Sequence, residues 1–273
     1  MRSTGARSVR RVLVAIGALG MALAGAAPAQ DAWSALPHPA IATTSGRTAA
    51  SDQAAVRFGW GTVVAGDEFS YQGGPDPLRW RVYDSPGHAG RGRRSPAAWH
   101  VNGRVATVTG DRLGTTGGMA DREGRRFGRW EARMRTSVRD ASYHPVLLLW
   151  RHVASANCPE VNFAEGTNNT KLAKFFLHYG CHNIGRTRAT KAIDMTRWHN
   201  YAVQWTPTEM TGYIDGVPFF HDSNPQHLPQ VPMHACLQLD WFPRATASPK
   251  TTMSIDWIRV YALPEPPTVS PPT

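Results

Sequence analysis

Between residues 59 and 263, Gly and Pro break every window long enough for a helix, while apolar residues recur in short runs at period two. That punctuation leaves a chain of this kind little choice but strands. Arg129–Thr136 alternates, with Trp130, Ala132 and Met134 on one face and Glu131, Arg133 and Arg135 on the other. Pro145–Trp150 is a continuous apolar run, as in a strand covered on both faces. Tyr201–Trp205 alternates again, and Ser254–Tyr261 is rich in β-branched and aromatic residues. Tyr213-Ile214-Asp215-Gly216-Val217 signals a hairpin, because Asp-Gly accepts the positive φ of a type I′ turn. Many short strands, turn chemistry between them and no helical period predict an all-β sandwich or barrel.

The two ends differ from this middle. Arg2, Arg7, Arg10 and Arg11 precede the 16-residue apolar run Val12–Ala27, which Ala27-Pro28-Ala29 closes with a small-x-small pattern. Residues 1–29 therefore read as a secretory signal peptide, with a retained anchor as the alternative. The run falls short of the ~20 residues that a membrane span needs. Removing residues 1–29 removes four positive charges and no acid, so the formal +10 falls to +6. That gives no case for a nucleic-acid partner, and no other segment is long and apolar enough for a membrane. A secreted monomer is expected. Residues 30–58, rich in Ala, Ser, Thr and Pro, read as a linker, and 264–273, with five prolines, as an extended tail.

Chemistry concentrates in Cys-Pro-Glu-Val-Asn-Phe-Ala-Glu-Gly, residues 158–166. Glu160 and Glu165 are two carboxylates in an otherwise apolar strand, which is costly unless they have work to do. Glycoside cleavage with retention needs such a pair, about 5–5.5 Å apart, one as nucleophile and one as acid/base. A regular strand points Glu160 and Glu165 to opposite faces. One bulge between them restores a shared face and leaves roughly 13 Å between their Cα atoms, which the two side chains can close. Solvated glutamates at a strand edge are the plainer alternative.

EVNFAEG resembles the E-x-D-x-x-E signature of glycoside hydrolase family 16, the laminarinase-type enzymes. Asp67-Glu68-Phe69, Gly117-Gly118-Met119, Phe127–Arg133, Pro145–Trp150, Leu177–Gly180, Trp198–Trp205, Tyr213–Gly216 and Ile255–Tyr261 resemble further family stretches in the family's order. The resemblance covers about residues 59–262. It implies a concanavalin-like β-jelly roll of two antiparallel sheets, with a substrate cleft across the concave one. It also implies Glu160 as nucleophile and Glu165 as acid/base. The middle position is Asn162, where the family has Asp; an amide can donate to Glu160 but cannot relay a proton. By family position, Trp150 and Trp205 are expected in the cleft with Trp241 behind them, and Trp80, Trp130 and Trp257 in the core. His178 matches a family histidine, with a structural histidine as the alternative. The loop Gly87–Arg94 borders the cleft in similar domains, or is a solvated surface loop. The resemblance further implies a structural cation, Ca²⁺, at Asp256, against an ordinary surface Asp. No cofactor is required.

The expected partner is therefore a polysaccharide and the expected activity retaining hydrolysis, most plainly of β-1,3-glucan. A carbohydrate-binding jelly roll and a cell-wall transglycosylase are the rivals. The sequence has no HExxH, CxxC or GxSxG pattern and no Gly-rich loop opening a helix, which leaves zinc, serine-hydrolase and nucleotide chemistry without support.

The three cysteines allow one intrachain disulfide. Gly166 and Asn168-Asn169-Thr170 are turn chemistry between two strand-like runs, so a hairpin centred near Asn169 would set Cys158 opposite Cys181 within about one residue. Cys236 would then be a buried thiol. Three free thiols, or a bond to Cys236, are the alternatives.

Overall fold

The computed structural model describes residues 51–264, Ala156 excepted. The leader, most of the expected linker and all but the first residue of the tail lie outside the described residues. No helix among the described residues is long and apolar enough to cross a membrane.

Two large antiparallel sheets, of nine and seven strands, pack face to face as a jelly-roll sandwich. The seven-stranded sheet contains β1 (Trp80–Val82), β2 (Gly118–Asp121), β3 (Tyr143–Arg151), β4 (Glu160–Gly166), β5 (Leu172–His178), β6 (Arg186–Ala192) and β7 (Met233–Trp241). Their order across the sheet is β6-β5-β4-β3-β7-β2-β1. The strand periodicity decides what each face holds. Leu147 and Leu149 of β3, Val161 of β4, Phe175 and Leu177 of β5, and Leu237 and Leu239 of β7 are fully buried between the sheets. From the nine-stranded sheet, Trp130, Met134, Tyr201, Val203 and Trp205 meet them. Each large side chain so buried contributes on the order of 2–3 kcal/mol.

Three findings revise the sequence reading. Residues 51–58, taken as the end of a linker, include a one-turn helix, Ala54–Arg57, that packs on the domain. Ala54 and Ala55 are buried with Trp60, Tyr213 and Tyr261, and their backbone N–H groups donate to Glu131 at 2.6 and 3.1 Å. Glu131, on the strand face opposite Trp130, therefore lies beneath this helix, wholly buried.

Trp205 is not a cleft residue. It lies on the nine-stranded sheet with its ring wholly buried, stacked on Trp130 at 6.4 Å and edge-on to Phe127 at 5.1 Å. Trp241 also turns inward, because its neighbours Asp240 and Phe242 face the cleft and successive strand residues alternate. Its indole N–H donates to Ser248 at 3.0 Å.

Candidate active site

The outer face of the seven-stranded sheet carries the two glutamates. In the β3–β4 pairing, Leu147 faces Ala164 and Leu148 faces Asn162, so Phe163 is left over as a bulge. Phe163 and Ala164 both turn into the core, fully buried. Glu165 consequently rejoins the face that holds Glu160 and Asn162, and all three line one cleft of about 510 Å³. The bulge gives up regular pairing at one residue and gains a buried phenylalanine beneath the glutamates.

Register sets the surroundings. Across the strands, Trp150, Glu160 and His178 form one row, and Val146, Glu165 and Lys174 another. Val146 and Leu148 pack with Ala120 and Cys236 as a small apolar floor, against which Trp150 and Tyr83 rest. Trp150 lines the cleft. His178 shares the row of Glu160 but is almost wholly buried and does not line the cleft. Burial, helped by Arg186, holds its imidazole below the usual histidine range.

Asn162 is placed between the glutamates. Its Nδ2 donates to Glu165 at 2.9 Å, and its amide also favours the ionised form of Glu160. Burial pushes Glu165 up to about 7, opposed by the Asn162 amide and reinforced by the negative charges of Glu160 and Asp240. Burial also raises Glu160, against the Asn162 hydrogen bond and the nearby Arg151 guanidinium. Both carboxyls therefore hold a proton more tightly than a free glutamate does, while the Asn162 amide and the Arg151 charge work in favour of ionised Glu160.

The loop Gly87–Arg94 borders this cleft through His88 and Ala89. Short strands at Ser85–Pro86, Arg93–Arg94 and Thr115–Thr116 hold it in place. Gly92 adopts φ +65°, and a Cβ there would lie 2.3 Å from the Gly114 carbonyl oxygen, so the loop needs glycine at that point. Arg94 reaches back to Asp240 at 2.5 Å and Gln238 at 2.9 Å.

Sequence reasoning missed Arg94, Asp240, Phe242 and His144. His144 Nδ1 lies 3.9 Å from Glu165, its ring stacks on Phe242 at 4.2 Å, and burial pushes it down to about 4, so it is neutral. One signal was available: Asp240 is a lone acid closing the apolar run Ala235–Leu239, which called for a cationic partner.

Cys158 and Cys181 are joined by a disulfide with Cα atoms 4.9 Å apart, next to the first residue of β4. Cys236 is a buried free thiol. The Asp256 carboxylate accepts from Arg133 at 2.6 Å. Among the described residues no group of three or more His, Cys, Asp or Glu side chains could hold a metal ion.

Residues 95–259 match the family model for glycosyl hydrolases family 16. The fold resembles that of the laminarinase from Rhodothermus marinus, at 21% identity over 74% of this chain and 98% of that one, with a TM-score of 0.66. The LamA catalytic domain from Zobellia galactanivorans is 17% identical over 75% of this chain and 99% of that one, with a TM-score of 0.66. The immunostimulatory antigen and pseudo β-1,3-glucanase of Mycobacterium tuberculosis is 20% identical over 75% of this chain and all of that one, with a TM-score of 0.65. A comparison with curated proteins gave no match.

Proposed function

The chain belongs to glycosyl hydrolase family 16, and from that premise we propose that it is a secreted β-glycanase acting with retention, as an endo-β-1,3-glucanase. The observation that carries this reading is the placement of Glu160 and Glu165 on one face of β4, with Asn162 between them donating to Glu165. The N-terminal leader pattern supports secretion.

In this mechanism ionised Glu160 attacks the anomeric carbon while protonated Glu165 gives its proton to the departing glycosidic oxygen. A glycosyl ester forms on Glu160 and the aglycone chain leaves. Glu165, now ionised, takes a proton from water as that water attacks the ester, which restores both groups. Asn162 holds the Glu165 carboxyl in place through both steps by donating to its oxygen. Trp150 lines the cleft one strand from Glu160, where a flat apolar sugar face can stack on its indole. No step calls for a cofactor.

The test is reducing-end release from a panel of laminarin, mixed-linkage β-glucan and galactans by the purified protein, with Glu160→Gln as the blank. Release from laminarin, absent in the variant, supports the reading. No release from any polymer favours a binding jelly roll in which the pair is silent.

A further inference from the structure

Beside the cleft lies a second, small cavity. Arg81 lines both, and Arg122, His152 and His234 line the smaller one with it. That cavity is about 130 Å³, or roughly four water volumes, which is room for one oxyanion group and not for a sugar chain. Its charge is positive. Arg81 and Arg122 form no ion pair among the described residues; Arg122 Nε donates only to the Pro77 carbonyl, at 2.8 Å. The one acid in the wall, Asp121, is already paired with Arg79 at 2.7 Å.

His234 adds a donor. It is 4% exposed, and its Nε2 is buried without a hydrogen-bond partner. Its Nδ1 lies 3.1 Å from Nδ1 of His152. When His152 donates in that pair, His234 Nε2 carries the proton and is left without an acceptor in the wall of the cavity. Two guanidinium groups and a buried imidazole N–H are the donor set for a carboxylate or a sulfate ester.

Register places this site beside the reaction centre. His234, Trp150 and Glu160 form one row across β7, β3 and β4, so His234 stands two strands, roughly 10 Å, from the proposed nucleophile. The opposite flank is also basic. The row Arg81, Ala120, Cys236, Leu148, Asn162, Phe176 and Arg188 ends in arginine on both sides. Arg186 follows on the next row, its guanidinium 5.5 Å from the Phe176 ring. A glycan lying along these rows meets cations beyond each end of the catalytic trio.

We propose that the glycan cut here carries anionic substituents, carboxylate or sulfate ester, and that one of them seats between Arg81, Arg122 and His234 at the Arg81 end of the cleft. This rests on the glycanase reading of the same cleft and names its substrate class more narrowly.

Binding is measured with the Glu165→Gln variant, so that the result does not depend on turnover. The probes are soluble oligosaccharides of one β-1,3-glucan backbone, either neutral, carboxymethylated or sulfated, with dextran sulfate as a polyanion of different linkage. The expected result is at least tenfold tighter binding of one anionic form than of the neutral form at low salt, with dextran sulfate weaker than that form. The arm that binds best assigns carboxylate or sulfate. The preference should fall at least fivefold when Arg81→Gln or Arg122→Gln is added, and stay unchanged with Arg104→Gln, which alters an exposed arginine in the turn between two strands of the other sheet. Equal or tighter binding of the neutral form overturns the inference. So does dextran sulfate binding as tightly, or a preference that survives both substitutions, since net positive charge would then account for it. Hydrolysis of neutral laminarin by the unaltered enzyme is scored separately, so this inference can fail while the glycanase reading stands.

Discussion

Asn162 donates its side-chain amide to Glu165 at 2.9 Å, while its own carbonyl oxygen is buried without a hydrogen-bond partner. The family resemblance places an aspartate at this position. The amide supplies a donor that favours ionised Glu165, and it adds no charge to a cleft that already holds Glu160, Glu165 and Asp240.

Asn162→Asp reverses both effects. It removes the donor and adds a like charge, so Glu165 should keep its proton to higher pH. Since Glu165 acts protonated in the first step, the alkaline limb of the kcat/KM profile should move up by about one pH unit or more. A pH–rate profile from about pH 4 to 10 reads this. An unmoved limb would show that Asn162 does not tune the acid.

Burial of Glu165 should cost stability. Its folded-state pKa is raised from 4.5 to about 7. A raised carboxyl pKa means that the folded chain holds the proton more tightly, so stability falls as pH rises from the unfolded value through about 7. Glu165→Gln removes that penalty. Urea unfolding should find the variant more stable than the native sequence at pH 8, by up to about 3 kcal/mol, and little changed at pH 4. Equal stability at pH 8 would contradict the burial argument.

The strands and the shared face of Glu160 and Glu165 were legible because both rest on local patterning. Period-two alternation gave Arg129–Thr136 and Tyr201–Trp205, and the five-residue interval from Glu160 to Glu165 required one bulge for a shared face. The register puts that bulge at Phe163. What alternation does not give is which of two sheets a face belongs to. Trp205 alternates as a cleft residue would, yet its sheet turns that face inward. Glu131 alternates outward and is covered by residues 77 positions earlier in the chain. Arg94 and Asp240 are 146 positions apart, so their pairing had no local signal.

The Cys158–Cys181 bond closes a loop of sequence separation 23 at the start of β4. Chain-entropy arithmetic gives such a loop about 3 kcal/mol. Cys158→Ala with Cys181→Ala should lower stability by an amount of that order and loosen the strand that presents Glu160, so kcat should fall as well. Guanidinium unfolding and steady-state kinetics on the double variant read both effects. Unchanged stability would show that the hairpin holds its register without the bond.

Chelation should do nothing at Asp256. A cation there would have to displace the Arg133 guanidinium, 2.6 Å from the carboxylate. The melting temperature is expected to be the same with a chelator and with added Ca²⁺. A rise of several degrees with Ca²⁺ would reveal a binding set that Asp256 and its neighbours do not provide.

Azide rescue tests the division of labour between Glu160 and Glu165 most directly. Glu165→Ala removes the acid/base and leaves space beside the anomeric carbon. With an activated aryl β-glycoside of a β-1,3-oligosaccharide, the first step needs no proton, so the glycosyl ester on Glu160 should still form and then stall. Azide should restore turnover, and NMR of the product should show a β-glycosyl azide, the outcome of two inversions at one carbon. No rescue, or an α-glycosyl azide, would contradict the assignment of Glu160 as nucleophile and Glu165 as acid/base.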